Sequence, residues 1–356
     1  MPKNTLVGNP FAAPRFDEQY LSDIVRKALE RPVDQVGFSP LQGDASTRQY
    51  YRLSVEFQKD APEPQTLILM QLEAPNVPSE TDFIRVLKFL HGIHLPVPEL
   101  YHFDAERGLL LLQDCGDITL ETHLHSADLA TLKSGYLRAV HLLADMQMEA
   151  TRAITADCPA YHLKFDVEKL MWEMDFMLEH FIEGTQQNTL KTAAREEIRK
   201  QLTALCTVLA VQPPCFTHRD YHSRNLMVHN DGLVLLDFQD ARMGPSQYDL
   251  ASLLRDSYLP LPDALVWELV DAFIQKKEEQ GNRPIDREEF IRVFDLMSIQ
   301  RNLKAIGTFA YQKKIKNNER YMRYIAPTLE YVRQAFMRRT ELKPLHTVLS
   351  ETIPDL

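Results

Sequence analysis

The chain has 356 residues, and 44% of them are hydrophobic, which is enough apolar surface for one large core or two smaller ones. Its formal net charge of −10 argues against a broad nucleic-acid-binding surface, because such a surface needs clustered Lys and Arg. No apolar run reaches the roughly 18 residues of a membrane span, and the first residues lack the basic and apolar segments of a secretory signal. We therefore expect a cytoplasmic protein that has neither a membrane nor a nucleic acid as its partner.

The first third of the chain is predicted to be rich in β-structure. Short apolar or alternating runs indicate five strands, at 36–42, 50–55, 66–72, 99–103 and 108–113. The tetrapeptide at 79–82, Ser-Glu-Thr-Asp, is typical of a helix N-cap, and the apolar residues after it repeat at helical spacing up to Leu90. A turn at 43–47 is expected to join the first two strands.

Beyond this region the apolar residues repeat mostly with the helical period of 3.6 residues. The predicted helices lie at 127–148, 165–182, 190–211, 248–256, 263–280, 288–308 and 321–339. We therefore expect an α+β fold with two domains. The smaller, β-rich domain would span 1–113, and the larger, mostly helical domain would span 114–356.

A short stretch of the second domain carries the residue types of a phosphoryl-transfer site. The tripeptide at 218–220, His-Arg-Asp, together with Asn225 matches the H-R-D-x-x-x-x-N catalytic loop of kinases, and Asp237 matches the Asp of D-F-G. Such a site needs one carboxylate to accept the hydroxyl proton and further oxygens to hold Mg²⁺ on the phosphates. The turn residues at 229–232 predict a hairpin, which would bring Asn225 and Asp237 to the same end of a β-ribbon.

Asp220, Asn225 and Asp237, in this order after a β-rich domain, resemble the catalytic set of the aminoglycoside phosphotransferase and choline kinase-like family. Longer strings are similar to the cell-wall recycling sugar kinases of that kind, which phosphorylate the anomeric hydroxyl of N-acetylmuramate and N-acetylglucosamine. These strings include Asp44-Ala-Ser-Thr-Arg48, Arg107-Gly-Leu-Leu-Leu-Leu112, Arg224-Asn-Leu-Met227, Leu236-Asp-Phe-Gln-Asp-Ala241 and Gln300-Arg-Asn-Leu-Lys304. The resemblance implies a bilobal protein-kinase-like fold, with ATP as the phosphoryl donor and Mg²⁺ as a cofactor.

The resemblance also implies a role for each motif. Asp220 would orient the acceptor hydroxyl and take its proton, while Asn225 and Asp237 would ligate Mg²⁺ through oxygen. The nucleotide would be bound by the turn that contains Gly43, Ser46 and Thr47 and by the backbone of the hinge residues Gln113, Asp114 and Cys115.

One departure from the kinase pattern concerns the phosphate charge. Kinases usually carry a Lys on the third strand that pairs with a helix Glu, but the segment 66–72 has no Lys and the helix at 83–90 has no Glu. Arg48 is the first candidate for a replacement cation, and Arg52 the second. The alternative for each is an arginine that faces solvent.

Two further cations lie within the catalytic loop. His222 stands where protein kinases place a phosphate-contacting Lys, and Arg224 immediately precedes the metal-ligating Asn. Either would add positive charge near the transferring phosphoryl group. Arg224 has an equally good alternative as a structural partner of Asp249 or Asp256. We expect Asp249 to be a buried structural carboxylate.

Acceptor recognition is expected from the helical domain. Glu173 would accept hydrogen bonds from sugar hydroxyls, with an exposed acid as the alternative, and Arg301 and Lys304 are spaced to share a helix face that suits a carboxylate. A basic pair on a helix surface is the alternative for these two. The complete set of acceptor candidates is Glu173, Asp175, Asp240, Arg301 and Lys304. Asp240 would either contact the acceptor or cap the loop beyond it.

These features favour an ATP-dependent, Mg²⁺-requiring kinase of an amino sugar, acting as a monomer on a small-molecule substrate. Two alternatives remain open from the residues. The first is a kinase of the same fold that acts on an aminoglycoside, choline or homoserine. The second is a non-catalytic nucleotide-binding module, suggested by the missing third-strand Lys, although the retention of Asp220, Asn225 and Asp237 argues against it.

Overall fold

A computed structural model of the chain describes residues 13–41, 48–57, 65–76, 80–185, 190–353 and 355–356. The chain forms two compact units. The first comprises Met1–Ile84 and Val97–Gly116, and the second comprises Arg85–Pro96 and Asp117–Leu356. The turn predicted at 43–47, with its candidate residues Gly43, Ser46 and Thr47, lies outside the described residues.

The first unit contains a five-stranded sheet, as predicted. Its strands are β1 (Val33–Leu41), β2 (Gln49–Phe57), β3 (Gln65–Gln71), β4 (Leu100–Asp104) and β5 (Leu109–Gln113). They are arranged in the order β1-β2-β3-β5-β4, and every neighbouring pair is antiparallel. Strand β5 pairs with β3 on one side and with β4 on the other. Strands β4 and β5 form a hairpin, and β4 is therefore an edge strand of the sheet.

A helix that is absent from the predicted elements completes the core of the first unit. Helix α1 (Glu18–Leu29) begins after Asp17, whose side chain accepts a hydrogen bond from the backbone nitrogen of Tyr20. Such a bond satisfies one of the free N–H groups at a helix N-terminus. Leu21 and Val25 of α1 are buried in the same cluster as Leu53 of β2. The helix therefore covers an apolar face of the sheet.

The remaining helices form most of the second unit, and α2 begins in the first unit and continues into the second. Their bounds are α2 (Asp82–Gly92), α3 (Leu120–Leu124), α4 (Leu129–Ala153), α5 (Val167–Met177), α6 (Glu183–Thr185), α7 (Thr192–Ala210), α8 (Gln247–Leu254), α9 (Asp263–Gly281), α10 (Arg287–Lys314), α11 (Ile325–Arg338) and α12 (Lys343–Ser350). A sheet-containing N-terminal part followed by a mostly helical C-terminal part confirms the predicted α+β fold class. Among the described residues, no helix is both long and apolar enough to cross a membrane.

Two small β-ribbons interrupt the helices of the second unit. Their strands are β6 (Pro214–Thr217), β7 (Leu226–His229), β8 (Gly232–Leu235) and β9 (Arg242–Pro245). Strand β6 pairs with β9, and β7 pairs with β8 in the hairpin that the sequence predicts. Asn230 and Asp231 connect β7 to β8 with φ of +46° and +60°, the left-handed backbone that tight hairpin turns require.

Helix α10 lies unusually close to α5. A Cβ atom on Gly307 of α10 would be 2.7 Å from the Cα atom of Met177, so only glycine fits at this point of contact. The helix is 28 residues long, and most of its residues are buried. It therefore holds its polar side chains in fixed positions within the second unit.

Candidate active site

The loop that carries Asp220 is held in place by two buried carboxylates that follow it in the chain. Asp249 of α8 accepts hydrogen bonds from the backbone nitrogens of His218, at 2.7 Å, and Arg219, at 2.9 Å. Asp256 accepts from the backbone nitrogen of Ser223 at 3.0 Å and from its hydroxyl at 2.5 Å. The prediction that Asp249 is a buried structural carboxylate is confirmed.

Burial dominates the electrostatics of these two carboxyl groups. Burial raises the pKa of Asp249 to about 7, although its two N–H donors and Arg301 act in the opposite direction. The pKa of Asp256 is raised for the same reason, and its bonds to Ser223 oppose the rise. Each group thus accepts at least two hydrogen bonds that fix the backbone on either side of Asp220.

Asp220 lies among cations. Lys304 of α10 donates from Nζ to Asp220 Oδ1 at 3.3 Å. Burial alone would raise the pKa of Asp220, but the charges of Lys304, Arg219 and Arg301 outweigh it and hold this pKa well below its ordinary value. Asp220 is therefore ionised at neutral pH, and a carboxylate oxygen is ready to accept a hydrogen bond from a hydroxyl group.

Asn225 and Asp237 meet at one end of the β7–β8 hairpin, as predicted. The amide nitrogen of Asn225 donates to the carbonyl oxygen of Asp220 at 2.9 Å and lies 3.5 Å from Asp237 Oδ2. The other oxygen, Oδ1, accepts from Gln239 at 2.8 Å. Asp237 has φ of +64°, a left-handed backbone that is uncommon outside glycine and is often found at functional sites.

These two side chains fit a magnesium ion that is shared with a nucleotide. A carboxylate and an amide oxygen are hard ligands, and Mg²⁺ is usually held by one or two such groups together with substrate phosphates and water. Within the described residues no group of three or more His, Cys, Asp and Glu is arranged to hold a metal ion. Asn225 and Asp237 would therefore hold the ion jointly with the phosphates, and a bound ion would neutralise charge that develops on them.

Arg224 has a partner that neither alternative from the sequence names. Its guanidinium donates to Glu121 of α3 through Nε at 2.7 Å and Nη2 at 3.1 Å, and to the hydroxyl of Tyr324 at 2.9 Å. It also stacks over the ring of Tyr258, 3.7 Å from its centroid. The alternative of a structural pair with Asp249 or Asp256 is therefore wrong, because the bidentate contact with Glu121 uses most of the donors of Arg224.

His222 does not supply the positive charge that its position suggests. Burial, reinforced by the nearby charge of Arg301, lowers the pKa of His222 to about 3. The ring lies 3.4 Å from the amide nitrogen of Asn225 and contacts the ring of Tyr258 edge-on. His222 is consequently neutral at physiological pH, and its ring packs between Asn225 and Tyr258.

Glu173 is buried rather than exposed, so the alternative of an exposed acid is wrong for this residue. Its Oε2 accepts from Gln300 of α10 at 3.0 Å, and its Oε1 lies 3.7 Å from Arg219. Arg219 also pairs with Asp240 at 3.3 Å. A network of hydrogen bonds and ion pairs thus runs from Gln300 through Glu173 and Arg219 to Asp240. Arg219 is the residue immediately before Asp220.

The other acceptor candidates are placed differently. Asp175 pairs with Arg199 of α7 at 3.2 Å. Arg301 is only 5% exposed, and the side chain of Lys304 is 16% exposed. The alternative of a basic pair on a helix surface is therefore wrong for both residues. Lys304 reaches Asp220, whereas Arg301 is buried one turn earlier in the same helix.

The candidate residues of the first unit lie around the end of β5. Arg52 donates to Asp114 through Nε at 2.6 Å and Nη2 at 3.1 Å, and Asp114 also accepts from the backbone nitrogen of Gly116 at 2.9 Å. Arg52 therefore does not face solvent, and it holds the hinge segment through a carboxylate rather than offering its charge to phosphate. The guanidinium of Arg48 lies 5.4 Å from the ring centroid of Phe83.

The other hinge residues have mainly backbone interactions. The backbone nitrogen of Gln113 donates to the carbonyl of Glu99 at 2.9 Å. Burial raises the pKa of Cys115 to about 11, so its thiol is protonated at neutral pH. Strand β3 ends in Met70 and Gln71 where kinases usually carry a Lys. Met70 is buried, and Gln71 donates to Gln49 at 2.8 Å.

Two residues of the site were absent from the sequence-based candidates. Glu121 lies in a five-residue helix whose sequence has no distinctive pattern, so no signal in the sequence points to its pairing with Arg224. Arg219 belongs to the His-Arg-Asp motif itself, and this position could have suggested its role. Its guanidinium lies 3.7 Å from Glu173 and 3.3 Å from Asp240, and its φ is +81°.

Comparisons with known proteins identify the family. The family model described as the phosphotransferase enzyme family, APH, matches residues 37–284. The chain belongs to this family. Membership confirms the resemblance that the motifs indicated.

The chain is also similar to individual sequence relatives and to solved structures. The N-acetylmuramate/N-acetylglucosamine kinase of Pseudomonas aeruginosa is 30% identical and is covered over 87% of this chain and 87% of its own. The protein of the same name from Neisseria meningitidis is 29% identical over 88% of this chain and 89% of its own. A solved structure of a putative aminoglycoside phosphotransferase from Ralstonia eutropha aligns with a TM-score of 0.62 at 12% identity, over 93% of this chain and 99% of that one.

Proposed function

We propose that this APH-family enzyme transfers the γ-phosphoryl group of ATP to the anomeric hydroxyl of N-acetylmuramate or N-acetylglucosamine. The observation that carries the proposal is the grouping of Asp220, Asn225 and Asp237 on one loop and hairpin. Asp220 is ionised in this group. The names of the relatives that align over most of the chain support the choice of acceptor.

The geometry suits transfer to a hydroxyl group. A sugar hydroxyl that donates its hydrogen bond to Asp220 Oδ has its oxygen fixed and turned towards the incoming phosphorus. As the new oxygen–phosphorus bond forms, the hydroxyl proton becomes acidic and passes to the carboxylate, so that a strong base is unnecessary. The same step breaks the bond between the γ-phosphorus and the oxygen that ADP keeps. Asp220 therefore acts mainly by orientation, and its low pKa suits that role.

The polar side chains near Asp220 suit a hydroxyl-rich acceptor. Gln300 and Lys304 are four residues apart on α10 and so lie on one helix face, with Glu173 bonded to the first and Asp220 to the second. Among the described residues, the buried oxygens Glu173 Oε1 and Gln300 Oε1 have no hydrogen-bond donor. Both side chains are buried and Glu173 Oε1 faces Arg219 at 3.7 Å, so the polar groups that a sugar would meet first are those of Asp220 and Lys304, whose side chains are 24% and 16% exposed.

The charges around Asp220 distinguish this acceptor from the cationic acceptors of the same fold. Arg219, Arg301 and Lys304 surround the catalytic carboxylate, while Glu173 and Asp240 are already opposite Arg219. An aminoglycoside or choline would bring further positive charge to this position. A neutral or anionic sugar is therefore favoured.

The decisive experiment offers the purified protein Mg-ATP with N-acetylglucosamine, N-acetylmuramate, their borohydride-reduced alditols, choline and kanamycin. We expect ADP release with the two sugars and none with the alditols, because reduction removes the anomeric hydroxyl. Equal turnover of the alditols would contradict anomeric transfer, and turnover with choline or kanamycin alone would contradict the amino-sugar assignment.

A matched pair of variants connects this activity to the site. Asp220→Asn keeps the shape of the side chain but removes its charge, and the rate should fall about 10²–10⁴-fold. Asp271→Asn makes the same chemical change in an exposed ion pair with Arg287, and its activity should stay at the wild-type level. Near-normal turnover by Asp220→Asn would exclude Asp220 as the group that orients the acceptor hydroxyl and takes its proton.

A monomeric state and a cytoplasmic location remain predictions from the sequence.

A further inference from the structure

Transfer of a phosphoryl group places negative charge on its equatorial oxygens, and kinases meet that charge with positively charged groups. The two positions where such a cation is usual hold neither Lys nor Arg in this chain. Strand β3 has Met70 and Gln71 instead of a Lys, and the loop position two residues after Asp220 has His222, whose ring packs edge-on against Tyr258. A cation on a different element would meet this charge.

Three other arginines already pair with carboxylates within their own units. Arg224 binds Glu121 in a bidentate pair and Arg52 binds Asp114 in the same way. Arg219 lies between Glu173 and Asp240. Moving any of them to a phosphate would leave a half-buried or fully buried carboxylate without its partner, which costs free energy.

Lys304 has the geometry that the missing cation requires. Its Nζ lies 3.3 Å from Asp220 Oδ1, and its side chain is 16% exposed, so the ammonium group is neither deep in the core nor free in solvent. An ammonium group has three N–H donors, and one bond to Asp220 leaves two for other oxygens. A hydroxyl bound to Asp220 reacts when the phosphorus is about 3–3.5 Å from its oxygen, which brings the equatorial oxygens to the neighbourhood of Nζ.

The support for Lys304 is rigid. Helix α10 is packed against α5 through Gly307, one turn after Lys304, and Gln300, one turn before it, is bonded to the buried Glu173. Arg301 on the same helix is 5% exposed and adds a fixed charge behind Asp220. Of these two α10 cations, Lys304 alone makes the direct bond to the catalytic carboxylate.

We propose that Lys304 is a catalytic residue that binds the transferring phosphoryl group, and that α10 thereby supplies the cation that kinases usually place on the third strand or in the catalytic loop. Before transfer, Lys304 is bonded to Asp220. During transfer the sugar oxygen bonds to phosphorus, ADP leaves, and the hydroxyl proton passes to Asp220. The two remaining N–H donors of Lys304 bind the phosphoryl oxygens in this step. The proposal rests on the phosphotransferase activity proposed above, but not on which sugar is the acceptor.

The test compares Lys304→Met and Lys304→Arg with Lys313→Met, a control on the same helix whose lysine forms an exposed pair with Glu319. We expect Lys304→Met to lower kcat about 10²–10³-fold with both N-acetylglucosamine and N-acetylmuramate, with little change in KM. Lys304→Arg keeps the charge and should retain more of the activity than Lys304→Met. Lys313→Met should behave as the wild type.

A binding measurement separates a phosphoryl contact from other roles. Fluoroaluminate with Mg-ADP mimics the transferring group, and titration calorimetry measures its effect without turnover. Mg-ADP alone should bind wild type and Lys304→Met alike, whereas the gain in affinity from fluoroaluminate should be lost in Lys304→Met and largely kept in Lys304→Arg. This readout remains valid if none of the tested sugars is the acceptor, so failure of the acceptor assignment is distinguishable from failure of this proposal.

Three results would overturn the proposal. A loss confined to N-acetylmuramate would mean that Lys304 binds the lactyl carboxylate instead. An equal loss with both sugars but an intact response to fluoroaluminate would mean that Lys304 only positions Asp220. A wild type that gains no affinity from fluoroaluminate would also exclude a cation directed at the phosphoryl group. Should Lys304→Met fail to fold, the response of Lys304→Arg decides between these outcomes in the same way.

Discussion

Arg224 joins the catalytic loop to a helix 103 positions earlier in the chain, and this contact is testable by a single substitution. In Arg224→Met the side chain keeps much of its length, but Glu121 loses two hydrogen bonds and a charge partner. Both side chains are about one-fifth exposed, so we expect a loss of about 1–3 kcal/mol in the free energy of unfolding. Activity should also fall, because Asn225 is the next residue. Urea unfolding followed by circular dichroism measures the first effect.

The control for this prediction is the double variant Arg224→Met with Glu121→Met. If the two side chains stabilise the loop through each other, the double variant should be no less stable than Arg224→Met alone, because no unpaired carboxylate remains. A loss of activity in Arg224→Met without any loss of stability would instead favour a direct contact between Arg224 and the phosphoryl group.

At the residue scale the sequence predicts what depends on local spacing. The proximity of Asp220, Asn225 and Asp237 was predictable because they belong to one short loop and a tight hairpin. The partners of Arg224 and Lys304 depend on helices distant in the chain, where no spacing rule applies. The neutral state of His222 also follows from its surroundings in the fold rather than from its position in the motif.

At the scale of elements, the contact between α5 and α10 fixes the polar face that carries Gln300 and Lys304. Gly307→Ala would place a methyl group 2.7 Å from Met177 Cα and 3.0 Å from its Cβ, so the helices must separate. We expect a loss of about 1–3 kcal/mol in the free energy of unfolding, as is typical of overpacking. Because Lys304 is one turn away, kcat should fall as well. Chemical unfolding and steady-state kinetics on the same preparation measure both effects.

Gly92→Ala provides the matched control, because Gly92 also lies in a helix but a Cβ atom there has nothing within 4 Å. Alanine is favoured over glycine in helices by about 0.5–1 kcal/mol, so this variant should be as stable as the wild type or slightly more so. A Gly307→Ala variant that is equally tolerated would contradict the close approach of the two helices.

The elements that the sequence predicts well are long and regular. The helix predicted at 288–308 is α10, which continues to Lys314, and each of the five strands of the first unit is found within a few residues of its predicted position. The helix predicted at 165–182 is instead interrupted by a π-helical turn, Leu178–Ile182, because side-chain periodicity does not report backbone hydrogen-bond spacing. Strands β6 and β9 have four residues each, too few for an alternating pattern to be recognised.

At the scale of the whole molecule, an acidic chain concentrates positive charge where its chemistry needs it. The net charge of −10 would repel an anionic nucleotide at long range, and yet Arg219, Arg301 and Lys304 lie around Asp220. Composition argues against a general polyanion-binding surface, but it does not report such a local cluster. Only the fold reveals it, because the three residues come from two segments about 80 positions apart in the sequence.

The small number of candidate metal ligands predicts how the stability of the whole protein responds to magnesium. Asn225 and Asp237 offer few oxygen ligands, and within the described residues no larger carboxylate cluster completes a metal site. Mg²⁺ alone should therefore leave the unfolding temperature almost unchanged. Mg-ATP should raise it, since a ligand at 100 times its Kd stabilises the folded state by about 2.7 kcal/mol. Asn225→Ala should weaken the Mg²⁺-dependent part of this stabilisation, whereas His229→Ala, at the far end of β7, should not. Strong stabilisation by Mg²⁺ without nucleotide would contradict a shared site, because it would require a complete set of ligands from the protein itself.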